Sequence, residues 1–224
     1  MRRQILRVLD SRACEVLVYL AIFVLNLRLC FGQTQRFSDI TAHINFTARI
    51  FREGFYLPHP FLHYLVHGGS LITGMPYTFI MPVLMGALSI VSIMVCKAAI
   101  KHYRPGLEHE SAYLFAAVAA NTVVAIFLPF YNPRAYLGQW SPNVWHNPTM
   151  APLKPLAILG FWGTIDWLCS PSRERRRNAW LTSLCLLAGT LAKPSFIICF
   201  ILAIGLFLLA FHLKDGRMWR SAVL

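Results

Sequence analysis

Charge is scarce in this chain. Of its 224 residues only 13% are charged, while 57% are hydrophobic and the mean hydropathy is +0.54. A soluble domain carries roughly a quarter charged residues, so a water-facing globule is excluded. Acids are scarcer still: nine Asp and Glu stand against 21 Lys and Arg, for a formal net charge of +12. Such an excess suits nucleic acid only when it gathers on one face. Here the basic residues fall in short clusters between apolar runs, which is the pattern of topology signals, and no nucleic-acid partner is expected. Also missing is any Cys-x-x-Cys pair. The six cysteines (14, 30, 96, 169, 185 and 199) lie in or beside apolar runs and read as small packing residues, with no disulfide or zinc site. No Ala-x-Ala cleavage site follows the first apolar run, and Asp10, Arg12 and Glu15 interrupt its approach. It reads as an uncleaved span and not as a signal peptide.

What the chain does have is long apolar blocks, and blocks of this length read as bilayer spans. They cover about 16–31, 77–100, 112–130 and 151–169. A further apolar stretch, 179–211, is interrupted by Lys193-Pro194-Ser195 and reads either as two short spans or as one broken span. A lysine at mid-bilayer costs about 2.5–3.5 kcal/mol on insertion scales, which favours two. The fold class expected is therefore an all-α, polytopic transmembrane bundle of about six spans, forming one domain over 1–224. The polar loops are 32–76, with helices lying along the interface, and 131–149. With both termini cytoplasmic, fourteen Lys and Arg fall on the inner side and six on the outer side, as the positive-inside rule requires. The chain stops at Val223-Leu224 where another span could begin, so either the N-terminal part of a longer protein or a short relative of one is expected.

That topology sorts the acids. Asp10, Glu15, Glu108, Glu110, Asp166, Glu174 and Asp215 fall at or near the inner interface, leaving only Asp39 and Glu53 outside. Against those two stand Arg36, Arg49, Arg52, Arg134, Lys154 and Lys193, with His43, His59, His63, His67 and His146. One or two carboxylates among many cations is what an anionic substrate requires: cations hold a phosphate while a carboxylate acts as base. Asp39 has a structural alternative, because either Ser38 or Asp39 is placed to cap a helix over Ile40 to Phe51. His59, His63 and His67 recur every four residues, near metal-ligand spacing. Yet Pro60 is expected to open that helix, and no HExxH or neighbouring carboxylate completes a zinc site. No cofactor is called for, with a divalent metal left as an open alternative. Asn45-Phe46-Thr47 fits an N-glycosylation sequon, which matters only in a eukaryotic secretory setting.

The second loop is dense in Tyr, Trp, Asn and His. Aromatic faces stack on sugar C–H surfaces and amides or imidazoles read hydroxyls, so Arg134, Trp140, Trp145, His146 and Asn147 are candidate substrate contacts, together with His43. The same tryptophans and tyrosines also suit an interfacial aromatic belt.

Asp39 in the first loop, Ala48-Arg49, Gly54 and Leu57-Pro58-His59-Pro60-Phe61, following a first span, resemble the opening of the GT-C integral-membrane glycosyltransferases. The likeness covers about 14–100, and the companion acid usual beside the first is absent here (Ser38-Asp39-Ile40). The resemblance implies an inverting, hexosyltransferase-like enzyme of cell-envelope polysaccharide biosynthesis in the bacterial inner membrane. It would move a sugar from a polyprenyl-(pyro)phosphate donor to a glycan or lipid acceptor on the non-cytoplasmic face. Asp39 would be the catalytic base, and Arg49, Lys154 and Lys193 would hold the lipid phosphate. The rival expectations are a transporter or flippase for a lipid-linked sugar or anion, and a non-catalytic membrane subunit.

Overall fold

The computed structural model describes residues 2–35, 37–122, 147–169 and 175–211. These residues form helices, with no strand among them, as the all-α expectation requires. Arg2–Leu9 (α1) leads into Arg12–Thr34 (α2), whose N-cap Ser11 accepts from the Cys14 amide at 3.2 Å. The first polar loop folds into Asp39–Glu53 (α3) and Phe61–Thr73 (α4). Tyr77–Tyr103 (α5), Glu110–Thr122 (α6) and Met150–Cys169 (α7) follow. Arg175–Ala192 (α8) and Pro194–Phe211 (α9) complete the described chain. Helices α2 and α5 are long and apolar enough to cross a membrane, at 23 and 27 residues. At 1.5 Å per residue that is about 35 and 40 Å, against a hydrocarbon core of about 30 Å.

Contacts between helices fix their directions. Lys97, late in α5, bonds Glu15, early in α2, at 2.8 Å, so these two helices run antiparallel. Asp10 accepts from the Ser111 amide at 2.9 Å and its hydroxyl at 2.7 Å, so α6 starts where α2 starts. Asp166, late in α7, meets His102, late in α5, at 3.2 Å, so α7 runs parallel to α5. A Cβ on Gly160 of α7 would stand 2.7 Å from Leu186, and one on Gly163 would overlap Thr182, so glycine lets α8 press closely against α7. Leu186 and Phe200 both lie level with Gly160 and Phe161. Being equidistant from Lys193, they show α8 and α9 folding back as a hairpin. The ambiguous stretch thus resolves into two helices, with Pro194 at the first position of the second, where its missing N–H costs nothing.

The two ends of the bundle are built differently. At the end where α2 begins, Lys97 bridges Glu15 and Glu110 at 2.8 and 3.5 Å, and Lys101 also bonds Glu110. His109 pairs with Asp10 at 2.8 Å, while Asp166 accepts from Trp162 Nε1 at 2.8 Å beside His102. At the opposite end the joint is apolar. Ile40 and Ile44 of α3 and Leu62 and Val66 of α4 pack on Cys30, Ile80, Met81, Met85 and Ala151. Ile40, Leu62 and Val66 are wholly buried, and each contributes roughly 2 kcal/mol to holding α3 and α4 on the bundle.

Candidate functional site

The site is built from α3. Of the two capping candidates, Ser38 takes the position: its Oγ accepts from the Thr41 amide at 3.3 Å and donates to the Gln33 carbonyl at 2.9 Å. Asp39 becomes the first helical residue, half-buried, where the helix dipole favours a negative charge. Asp39, His43 and Thr47 follow at four-residue steps and share one face of α3. The helix stops at Gly54, whose φ of 67° is the left-handed conformation that closes the last turn and redirects the chain toward His59 and Pro60.

Against that face α4 sets His63. His43 and His63 stack with ring centroids 5.3 Å apart, and His43 Nδ1 lies 3.3 Å from His63 Nε2. His63 Nδ1 lies 2.8 Å from Thr47 Oγ1, which also lies 2.9 Å from the His43 carbonyl oxygen. Thr47 and His63 have no exposed surface and His43 keeps 9%. Burial pushes the His43 imidazole down to about 3, helped by His63, His59 and Lys193. Burial likewise lowers His63 to about 4, with His59 adding to it. Both rings are therefore neutral at physiological pH.

Lys193 sits between α8 and α9, where its amide bonds the Gly189 carbonyl at 2.8 Å and its Nζ reaches Met150 Sδ at 3.6 Å. Its charge is close enough to disfavour protonation of His43, and of His59 after burial. Segments far apart in sequence thus meet at one end of the bundle: the Asp39–His43 face, His59 before α4, the start of α7, and the turn of the last hairpin. Gln33, at the end of α2, adds a buried amide with no hydrogen-bond partner among the described residues.

The other two cations proposed for the phosphate have different neighbours. Arg49 is half-exposed, bonded to Glu53 at 3.1 Å with its guanidinium 4.3 Å above Phe55. Lys154 lies one turn below Met150 on α7 and donates to the Asn121 carbonyl at 3.2 Å. It lines a cavity of about 30 Å³ with Asn26, Ser89, Ser92 and Asn121, space for about one water. Asn147 turns the chain into α7, its Oδ1 accepting from the Thr149 amide and hydroxyl at 3.0 and 2.6 Å. Arg134, Trp140, Trp145 and His146 lie outside the described residues, as does most of the second loop.

The periodic histidines do not converge. His63 faces His43, and His67 bonds Tyr77 OH at 2.7 Å and stacks on Phe51. His59 lies in the non-helical segment before α4, since Pro60 caps that helix as expected. No group of three metal-ligating side chains gathers among the described residues. Thr47 and His63 are the residues whose partnership sequence reasoning missed. The signal was available only in part: His43 and Thr47 are one turn apart, but nothing local ties them to a histidine 20 positions from His43. Comparison with known proteins finds no matching family model, no matching curated protein and no matching solved structure.

Proposed function

We propose that this chain is a six-span membrane protein with both termini in the cytoplasm. In this reading it transfers a sugar from a polyprenyl-(pyro)phosphate carrier to a hydroxyl of a glycan or lipid acceptor at the non-cytoplasmic face. The observation that carries the reading is that Lys193, held against Met150, lies near enough for its charge to act on His43 of the Asp39–His43 face of α3. A carboxylate and an ammonium from opposite ends of the chain are brought to one end of an apolar bundle. In the reaction the acceptor oxygen attacks the anomeric carbon as the bond from that carbon to the carrier phosphate breaks. The phosphate leaves with the electron pair, and the acceptor proton passes to Asp39. Lys193 stabilises the departing charge. His43, held neutral with its basicity suppressed to about 3, is a poor base at neutral pH, which leaves that role to Asp39. The remaining polar contacts to the sugar come from Asn147 and the loop bearing Arg134, Trp140, Trp145 and His146. Lys154 and Arg49, engaged by the Asn121 carbonyl and Glu53, leave Lys193 as the principal contact to the carrier phosphate.

Membranes carrying the chain, supplied with radiolabelled polyprenyl-phosphate sugars, test the reading. Transfer is expected with the wild type and a loss of roughly 100-fold or more in Asp39→Asn, the usual weight of a general base, at equal membrane content. Full transfer by that variant removes the base and with it the mechanism. One observation favours a second reading, a transporter for a lipid-linked sugar or anion: Lys154 and its polar cavity lie inside the bundle one turn below the Lys193–Met150 contact. The same membranes separate the two, since translocation without transfer identifies the transporter.

A further inference from the structure

The contacts among Thr47, His63 and His43 can be satisfied with two opposite polarities, and the number of hydrogen bonds in each decides between them. Thr47 has one hydroxyl hydrogen and two neighbours, the His43 carbonyl at 2.9 Å and His63 Nδ1 at 2.8 Å. Suppose the hydroxyl donates to the carbonyl, which can only accept. His63 Nδ1–H then donates to Thr47 Oγ1, the bare His63 Nε2 accepts from His43 Nδ1–H, and three hydrogen bonds form. Suppose instead the hydroxyl donates to His63 Nδ1. Every proton shifts one place, His43 becomes an Nε2–H donor, and only two bonds form. The additional buried hydrogen bond selects the first arrangement.

We propose that Thr47 and His63 are positioning residues that lock His43 as its Nδ1–H tautomer, so that His43 Nε2 presents a lone pair to a ligand hydroxyl at the site. Nε2 has no hydrogen-bond partner among the described residues and is not among the sealed, unpartnered atoms. Ring geometry turns it away from His63, which holds the other nitrogen. With the Lys193 charge near enough to disfavour protonation of His43, that lone pair accepts from a neutral O–H and is a poor place for a metal cation or a ligand amine. The ligand class is therefore a sugar or polyol hydroxyl lying next to an anionic group held at Lys193. The functional half of this inference rests on the transferase reading; the tautomer does not.

The test is nitrogen NMR of the full chain in lipid, with ¹⁵N-labelled histidine and the His43 signals assigned by their loss in His43→Gln. A pyridine-type Nε2 and a pyrrole-type Nδ1 at His43 are expected at neutral pH. The reverse pattern overturns the proposal. Thr47→Val, near the size of threonine but without its hydroxyl, is expected to mix the two tautomers and to lower sugar transfer roughly tenfold, the scale of one lost hydrogen bond. Thr47→Ser is expected to restore both. An unchanged His43 spectrum in Thr47→Val also overturns the lock. If the expected tautomer is present but neither wild type nor Thr47→Ser transfers sugar, the transferase reading fails and the lock stands.

Discussion

The two ends of this bundle hold charge in opposite ways. Where α2 begins, Asp10, Glu15, Glu110 and Asp166 each have a basic partner, and those pairs tie α2, α5, α6 and α7 and the α1–α2 turn together. At the α3 end the joint is hydrophobic, and the polar groups set beside it are a lysine, neutral imidazoles and Asp39. Opposite charges that are already paired serve cohesion. A cation set among neutral rings has electrostatic capacity left for a ligand, and that difference is why the α3 end is the candidate site.

The largest expected effect comes from removing one lysine at each end. Lys193→Met is expected to cut transfer roughly 100-fold, the scale of a charge-assisted contact to a leaving phosphate, with little change in the unfolding midpoint. Lys97→Met should do the reverse. It leaves Glu15 and Glu110 without their shared partner and costs about 1–2 kcal/mol, between exposed and buried pairs, while transfer stays within about twofold. Equal loss of transfer in both variants, measured in membranes at matched expression, abolishes the distinction.

Acid should take the ends apart in order. Unfolded imidazoles protonate below their ordinary value of 6.5, whereas folded His63 and His43 resist until about 4 and about 3. The unfolded state binds more protons across that window, so stability falls as pH drops from 6.5 toward 3. The Ser111 amide and hydroxyl, with His109, hold the Asp10 carboxyl below its usual 3.8, so its contribution is lost only at lower pH. Hydrogen exchange followed helix by helix is expected to show α3 and α4 loosening first. Simultaneous loosening of both ends contradicts the assignment of the buried histidines. The smallest effect expected is that of Arg49→Ala. Its exposed pair with Glu53 is worth no more than about 0.5 kcal/mol, so a midpoint shift well beyond that scale would give Arg49 a role its contacts do not show.

Much of the architecture was legible in the chain because it depends on local composition. Apolar length marked α2 and α5. Pro60 and Pro194 marked helix starts, and the sequence set most acids at one end, where the structure pairs several of them. The site was legible only in part. Asp39 and His43 drew notice by rarity and residue type. The choice of Ser38 over Asp39 as the cap rested on a side-chain acceptor geometry that sequence left open between the two. Four-residue spacing suggested a shared face for His59, His63 and His67, but Pro60 leaves His59 outside the helix and Phe51 and Tyr77 engage His67.

By itself, then, the sequence pointed to an all-helical chain of about six spans, of which two described helices are long and apolar enough to cross a membrane, and to an imbalance of charge along them. These follow from hydropathy and helical period, which act over a few turns. Only the tertiary structure decided that the turn of the last hairpin sets Lys193 against Met150, that Arg49 turns to Glu53 while Lys154 points into the bundle, and that His63 reaches back to His43 and Thr47. Those facts depend on which helices pack together and how deeply each group is buried. Burial is a property of the assembled bundle, and it is burial that keeps the two histidines neutral.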